Sequence, residues 1–385
     1  MADQKPHRAI VIGGSLGGLF TAASLRAIGW QVDVYERSVN ELDSRGGGLV
    51  MQPDLLEAFR FAGIAHAPQL GVPSRDRQFL DASGAVLFRQ RMPQAQTAWS
   101  VLYNTLRAGL PDDIVHSGIA LSDFKQDGDM VEAILSNGQR VRADLLIGAD
   151  GPHSATRSLV LPDDHPDYAG YVAWRGLLPE RSLDAAATAQ LVDAFTFQTG
   201  DAHQLLTYLI PGEDGSTQPG ERRWNWVWYR PLAVGAPLDA AMTDRAGVQR
   251  TLSVPPGALS DEHRERLRAD ASKQLAPALA SLVHATDDPF LQIIQDYRAP
   301  RLVFGRVVLL GDAAFIARPH TGAGASKAAA NAVALARRLR EASGTIDEAL
   351  AQWEAQEWRS GTRLAEIGIS LGAQIMGNIG RHAAA

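Results

Sequence analysis

Val11-Ile12-Gly13-Gly14-Ser15-Leu16-Gly17-Gly18-Leu19-Phe20 closes one apolar run and opens another. It reads as a dinucleotide fingerprint, G-x-G-x-x-G, with Ser15 where the second glycine should stand. In that pattern the first glycine makes a tight turn, the second lets backbone approach a pyrophosphate, and the third permits close helix–sheet packing. Gly13 and Gly18 take the first and third roles, Leu16 opens the helix, and Ser15 offers a hydroxyl to a phosphate oxygen at modest steric cost. Alone, the loop leaves two readings open: a phosphate cradle, or a glycine-rich turn that binds nothing.

The flanks favour the first. Arg8 to Ile12 suits a buried parallel strand, Leu16 to Ile28 a helix that Gly29 stops, and Gln31 to Glu36 a second strand. Glu36 lies twenty-three residues past Gly13, where an acid holds the ribose hydroxyls of an adenosine, with Arg37 beside it.

Composition narrows the function classes. The chain has 385 residues, room for two domains and a large core, and a formal net charge of -6, which gives no reason to expect nucleic acid or an anionic membrane. Cys is absent, so disulfides, thiolate metal sites and thiol nucleophiles are excluded. The ten histidines stand singly with no H-x-x-x-H pair, so no metal site is expected. Without a signal-like start or a run near the ~20 apolar residues of a membrane span, cytoplasm is the default.

The middle of the chain changes character. Ala82-Ser83-Gly84, Asp127-Gly128-Asp129 and Ser136-Asn137-Gly138-Gln139 are hairpin signals. Arg223-Trp224-Asn225-Trp226-Val227-Trp228-Tyr229 alternates like a strand, and its aromatic face reads as the lining of a flat pocket. Asp261 to Lys273 is a charged helix, Arg306 to Leu310 a returning buried strand, and Gly324 to about Ala342 a small-residue helix. The fold class is α/β: a Rossmann-like cofactor domain over 1–72, 100–165 and 300–385, with an inserted α+β substrate domain on a mostly antiparallel sheet over 73–99 and 166–299.

Two later stretches each end an apolar strand in a carboxylate: Asp144-Leu145-Leu146-Ile147-Gly148-Ala149-Asp150-Gly151, running on to Arg157, and Val307-Val308-Leu309-Leu310-Gly311-Asp312-Ala313-Ala314. With the fingerprint, and in this order, they resemble the class A flavoprotein monooxygenases, the single-component aromatic hydroxylases of the para-hydroxybenzoate hydroxylase fold. The G-G-S opening, Tyr168-Ala169-Gly170-Tyr171-Val172-Ala173-Trp174-Arg175-Gly176 and Arg318-Pro319-His320 are similar to the 2,6-dihydroxypyridine 3-hydroxylase branch. The resemblance implies that Gly13, Ser15, Leu16, Gly18, Glu36 and Arg37 hold the ADP part of FAD. It places Asp150, Gly151 and Arg157 between flavin and nicotinamide, and Asp312 on the ribityl chain. Gly48, Leu49, Pro319, Gly322, Gly324 and Ala325 would line the rest of the cofactor site.

Departures from the family pattern are specific. Phe315 stands where many relatives have His, Ser326 and Asn331 where they often have Asn and Asp, and Trp99 where many have an Arg that reaches the FAD phosphates. Arg45 is the candidate substitute cation, and read alone it is equally an ordinary surface arginine.

The implied reaction takes electrons from transiently bound NAD(P)H and oxygen from O2, and hydroxylates a small hydroxylated aromatic or N-heteroaromatic ring through a flavin C4a-hydroperoxide. A group titrating near neutrality is wanted to activate the substrate. His320 is the first candidate and His203 the second, with Tyr229 and Gln52 as hydrogen-bonding partners of the ring. Lys327, a cation in a helix's first turn, suggests a bound acidic group, and tolerance of the cation at the surface explains it equally well. Rival readings are a flavin oxidase or epoxidase on a non-aromatic substrate, and a flavin-fold binding protein without turnover. Trp224-Asn225-Trp226 also touches the W-x-W-x-I motif of flavin-dependent halogenases, but no Ile-Pro follows. A monomer or homodimer is expected.

Overall fold

In a computed structural model describing residues 6–39, 47–66, 69–342 and 344–377, the fingerprint leaves the centre of a six-stranded sheet. Strand Arg8–Ile12 lies between Leu145–Gly148 and Gln31–Glu36 in parallel ladders. Val307–Leu309 and Val115–Ser117 extend the parallel array, and Val303–Phe304 adds an antiparallel edge. RAIVI, LLIG and VVL are continuous apolar runs because both faces of this sheet are covered. Helices Leu16–Ala27 and Gly324–Glu341 share its core with Val131, Ala133 and Ala143 of a three-stranded meander. The register sets Ile12, Gly148 and Leu309 level. Gly13, Glu36, Asp150 and Asp312 therefore gather on one rim, at the carboxyl ends where α/β sheets bind ligands.

The second sheet has ten strands and is antiparallel except where Val72–Leu80 pairs with Ala194–Gly200. Its central strands are Asp167–Pro179, Arg223–Pro231 and His203–Ile210, and Phe290–Arg298 flanks them. Gly48–Val50 closes its far edge against Val86–Ala98, so the chain crosses to this sheet soon after the second parallel strand.

The tryptophan face does not line a pocket. Trp224, Trp226 and Trp228 are fully buried against helices Asp261–Gln274 and Pro277–His284. Trp226 Nε1 donates to Thr286 Oγ1 at 2.9 Å, and a side chain at Gly176 would collide with its ring. The alternation identifies the strand correctly. These two helices take its aromatic side, and the other side, with Asn225, Val227 and Tyr229, faces the first sheet's rim.

A single 31-residue helix, Ile346–Met376, ends the described chain behind a Thr345–Glu348 capping box. Gly361 leaves room for the Phe315 ring, and a Cβ at Gly372 would lie 2.5 Å from Arg318 Nη1. These bare positions seat the segment that joins the rim to the second sheet. Among the described residues, no helix is long and apolar enough to cross a membrane.

Candidate active site

The turn after Arg8–Ile12 is built on close approach. Gly13 has φ of +107°, and a Cβ there would lie 2.5 Å from Ala149 O. A Cβ at Gly18 would collide with the Gly13 carbonyl. Glu36 is fixed by two backbone donors, Gly14 N at 2.7 Å and Ser38 N at 2.8 Å. Ser15 is the N-cap residue of helix Leu16–Ala27, yet its side chain makes no capping bond and no acid occupies the first turn. The helix start thus keeps free N–H donors beside a half-exposed hydroxyl, which fits a pyrophosphate. Arg37 is exposed, 3.4 Å from the His153 carbonyl, and Leu16 is buried. Arg45 lies outside the described residues.

Asp150 spends its carboxylate inside its own turn. It accepts from Ser154 Oγ at 2.5 Å, Thr156 N at 3.0 Å and Thr156 Oγ1 at 3.1 Å, while burial pushes its pKa up. Gly151 follows at φ +79°. Arg157 is buried, donates to the carbonyls of Ala313 and Pro152, and lies 4.3 Å from the Tyr297 ring centre. Lys327 has an acidic partner within the protein: Nζ donates to Asp312 Oδ1 at 3.0 Å and to the Phe315 carbonyl. The ligand acid anticipated from the lysine's position is Asp312 itself, with its side chain 44% exposed against 5% for Lys327.

The loop between Arg318 and helix Gly324–Glu341 carries the remaining groups. Pro319 is exposed in a short turn, Gly322 takes φ of +61°, and Gly324 and Ala325 open the helix. Gln52, expected to touch the ring, instead clasps this loop: Nε2 donates to Gly322 O at 2.9 Å, and Ser326 Oγ donates to its Oε1 at 2.8 Å. Gly48 and Leu49 lie on the neighbouring strand Gly48–Val50.

His320 and Tyr229 meet, with ring centres 4.3 Å apart in an edge contact. Burial and the Arg318 cation push the imidazole down to about 3, so it is neutral and does not titrate near neutrality. Its Nδ1 is buried with no protein partner among the described residues. Burial also raises the Tyr229 hydroxyl. His203 does not join them. It is buried on the helix-covered face, where its Nδ1 accepts from Trp228 Nε1 at 3.1 Å.

Tyr171, which the sequence marks only as part of a motif, is the hydrogen-bonding partner of His320. Its alternation with Val172 and Ala173 could have placed it on the Tyr229 face. Its pairing with a loop residue 149 positions away left no local signal. Among the described residues no cluster of His, Asp or Glu could hold a metal ion.

Residues 168–296 match a family model described as FAD binding domain-like. Over 359 residues the chain is 33% identical to 2,6-dihydroxypyridine 3-monooxygenase of Paenarthrobacter nicotinovorans, spanning 92% of this chain and 88% of that one. The chain belongs to the FAD-dependent aromatic hydroxylases. Among solved structures of this family, 2,6-dihydroxypyridine-3-hydroxylase from Arthrobacter nicotinovorans superposes with a TM-score of 0.91 at 30% identity, covering 97% of this chain and 94% of that one. Klebsiella pneumoniae HpxO complexed with FAD and uric acid gives 0.78 at 27% identity, covering 96% and 89%. This hydroxylase is accordingly an FAD-dependent monooxygenase with NAD(P)H as co-substrate.

Proposed function

We propose that this hydroxylase acts on a small ring already bearing a hydroxyl group, aromatic or N-heteroaromatic, as its dihydroxypyridine and uric acid relatives do. The observation that carries the reading is the meeting of Tyr171, Tyr229 and His320 where the loop after Asp312 reaches the second sheet. Three flat polar rings gathered there suit a flat polar substrate, which their hydroxyl and imidazole groups can meet by hydrogen bonds.

FAD, when bound, supplies oxygen activation with electrons from NAD(P)H. Gly13, Ser15, Leu16, Gly18, Glu36 and Arg37 would hold its ADP part. Asp150 and Gly151 would shape the rim, and Asp312, steadied by Lys327, would accept from the ribityl hydroxyls. Gly48, Leu49, Pro319, Gly322, Gly324 and Ala325 would enclose the ring system. The segments 1–72, 100–165 and 300–385 then form the cofactor domain, and 73–99 with 166–299 the substrate domain. His320 acts as a neutral imidazole. With Tyr171 donating to Nε2, Nδ1 carries the proton and gives one hydrogen bond to a ring substituent, fixing orientation rather than removing a proton. The enzyme works in the cytoplasm as a monomer or homodimer.

NAD(P)H oxidation by the FAD-loaded protein, screened over hydroxypyridines, phenols and hydroxybenzoates with product identified by mass, tests the reading. Ring-stimulated oxidation with stoichiometric hydroxylated product is expected. Stimulation by none of these rings refutes it.

A further inference from the structure

Arg175 faces the same side of the second sheet as Tyr229, one strand away: the ladder pairs Arg175 with Val227 and Ala173 with Tyr229. The buried arginines of this protein have oxygen partners suited to their charge. Arg222 meets Glu180, Arg306 meets Asp129 and Asp347, Arg318 meets Asp296, and Arg157 meets two carbonyls. Arg175, half-buried, has only a neutral amide: Nη1 donates to Gln292 Oε1 at 3.0 Å. Its guanidinium lies 5.6 Å from the Phe290 ring centre, and its Nε is buried with no partner. Among the described residues no carboxylate forms an ion pair with it.

The guanidinium is also confined. A Cβ at Gly47 would lie 2.5 Å from Arg175 Nη2 and 3.0 Å from Asn225 Oδ1, and that amide oxygen accepts from Gly48 N at 2.9 Å. Loop backbone on one side and Gln292 on the other fix a planar fork that suits an anionic oxygen. The positive charge reaches the hydroxyls of Tyr229 and Tyr208, opposing the upward push of burial on both. Arg77, also without a carboxylate, is spoken for by Phe195 and Phe197, at 5.6 and 5.4 Å from their ring centres. It lies three strands from Tyr229, roughly 14 Å at ordinary strand spacing.

We propose that Arg175 is the charge-selecting residue of the ring pocket, pairing with an anionic oxygen of the substrate, either a ring oxyanion or a carboxylate. The proposal rests on the ring-hydroxylase reading and narrows it: the substrate binds as an anion. A cation left in a partly dehydrated site without a counter-ion is unfavourable, and the ligand relieves that on arrival.

Calorimetric titration of the FAD-loaded protein with 2,6-dihydroxypyridine, salicylate and phenol tests this without turnover. Arg175→Gln is expected to weaken binding of at least one anionic probe by about tenfold or more, leave phenol unchanged, and be partly rescued by Arg175→Lys. Loss with salicylate marks a carboxylate subsite, and loss confined to 2,6-dihydroxypyridine above its ionisation marks a ring oxyanion. Unchanged affinity for both anions, or an equal loss for phenol, overturns the assignment while leaving the hydroxylase reading intact. Wild-type protein that binds none of the three overturns both. Should the glutamine variant not fold, the wild type decides: either salicylate must bind more tightly than its neutral methyl ester, or 2,6-dihydroxypyridine more tightly above its ionisation than below it, and the absence of both differences sinks the proposal.

Discussion

The Tyr171 hydroxyl lies 2.6 Å from His320 Nε2, and the two rings stack with centres 5.7 Å apart at 20°. This bond joins a residue of the ten-stranded sheet to a residue of the loop that follows Asp312 on the six-stranded sheet's rim. Arg318 braces both: it holds Asp296 through two bonds of 2.7 and 2.5 Å and lies 5.3 Å from the Tyr171 ring centre. Tyr171→Phe removes one hydrogen bond and keeps the ring. It is expected to retain FAD and thermal stability, lower kcat about tenfold, and divert NAD(P)H electrons into hydrogen peroxide. The measurement is hydroxylated product per NAD(P)H consumed; an unchanged ratio removes the pair from the reaction.

Neutral His320 has a thermodynamic consequence. Its pKa falls from the ordinary 6.5 to about 3 on folding, because burial and Arg318 disfavour the imidazolium. Above pH 6.5 both states are neutral and the residue adds no pH dependence. As pH falls towards 3 the unfolded chain binds the proton and the native state does not, so stability declines, by at most about 5 kcal/mol. His320→Asn should flatten the dependence of Tm on pH between 6 and 4 relative to wild type. Parallel curves would mean that the imidazole titrates freely in the native protein. An acid limb of kcat/KM near neutrality should likewise survive in this variant, since His320 does not titrate there.

Adjacent glycines of the cradle should behave oppositely. A Cβ at Gly18 collides with the Gly13 carbonyl, whereas at Gly17 the nearest atom is Ala328 Cβ at 3.5 Å, an ordinary contact. Gly18→Ala is expected to release FAD and cost 2 kcal/mol or more, roughly the penalty of forced overpacking. Gly17→Ala should keep FAD and gain about 0.5–1 kcal/mol from helix propensity. Bound FAD per protein and Tm, measured side by side, check both. Equal losses at the two positions would mean that the turn tolerates no side chain for reasons other than this contact.

How much of this was legible in the sequence follows from the range of each signal. The parallel strands and the glycine turn are written in contiguous residues, and Arg8–Ile12, Leu16–Ala27 and Gln31–Glu36 fall where periodicity places them. The strand at Arg223–Pro231 is equally legible, but which of its faces meets the ligand is not. Alternation is symmetric between two buried faces, and only the helices folded over Trp226 decide it. His203 fails for the same reason. The roles of Gln52, Lys327 and Tyr171 depend on partners 270, 15 and 149 residues away. Only the fifteen-residue separation lies within reach of local reading, where a cation in a helix's first turn is matched by a ligand acid and by Asp312 alike.

The Lys327–Asp312 pair joins a buried cation to a half-exposed acid at the rim. Lys327→Met preserves apolar volume but leaves the Phe315 carbonyl without its donor and Asp312 without its cation. Asp312 can turn to water, so the stability cost should stay near 1–3 kcal/mol, the penalty of one unpaired buried acceptor. Cofactor affinity should suffer more, by about tenfold, because a freely turning carboxylate no longer presents a fixed acceptor. Asp312→Asn alone is expected to weaken FAD binding by a similar factor. The double variant should be no worse than either single, giving a coupling of about 1 kcal/mol in a double-mutant cycle read by FAD fluorescence on equilibrium dialysis. Strictly additive losses would show that the lysine holds the loop through Phe315 alone and has no part in orienting Asp312.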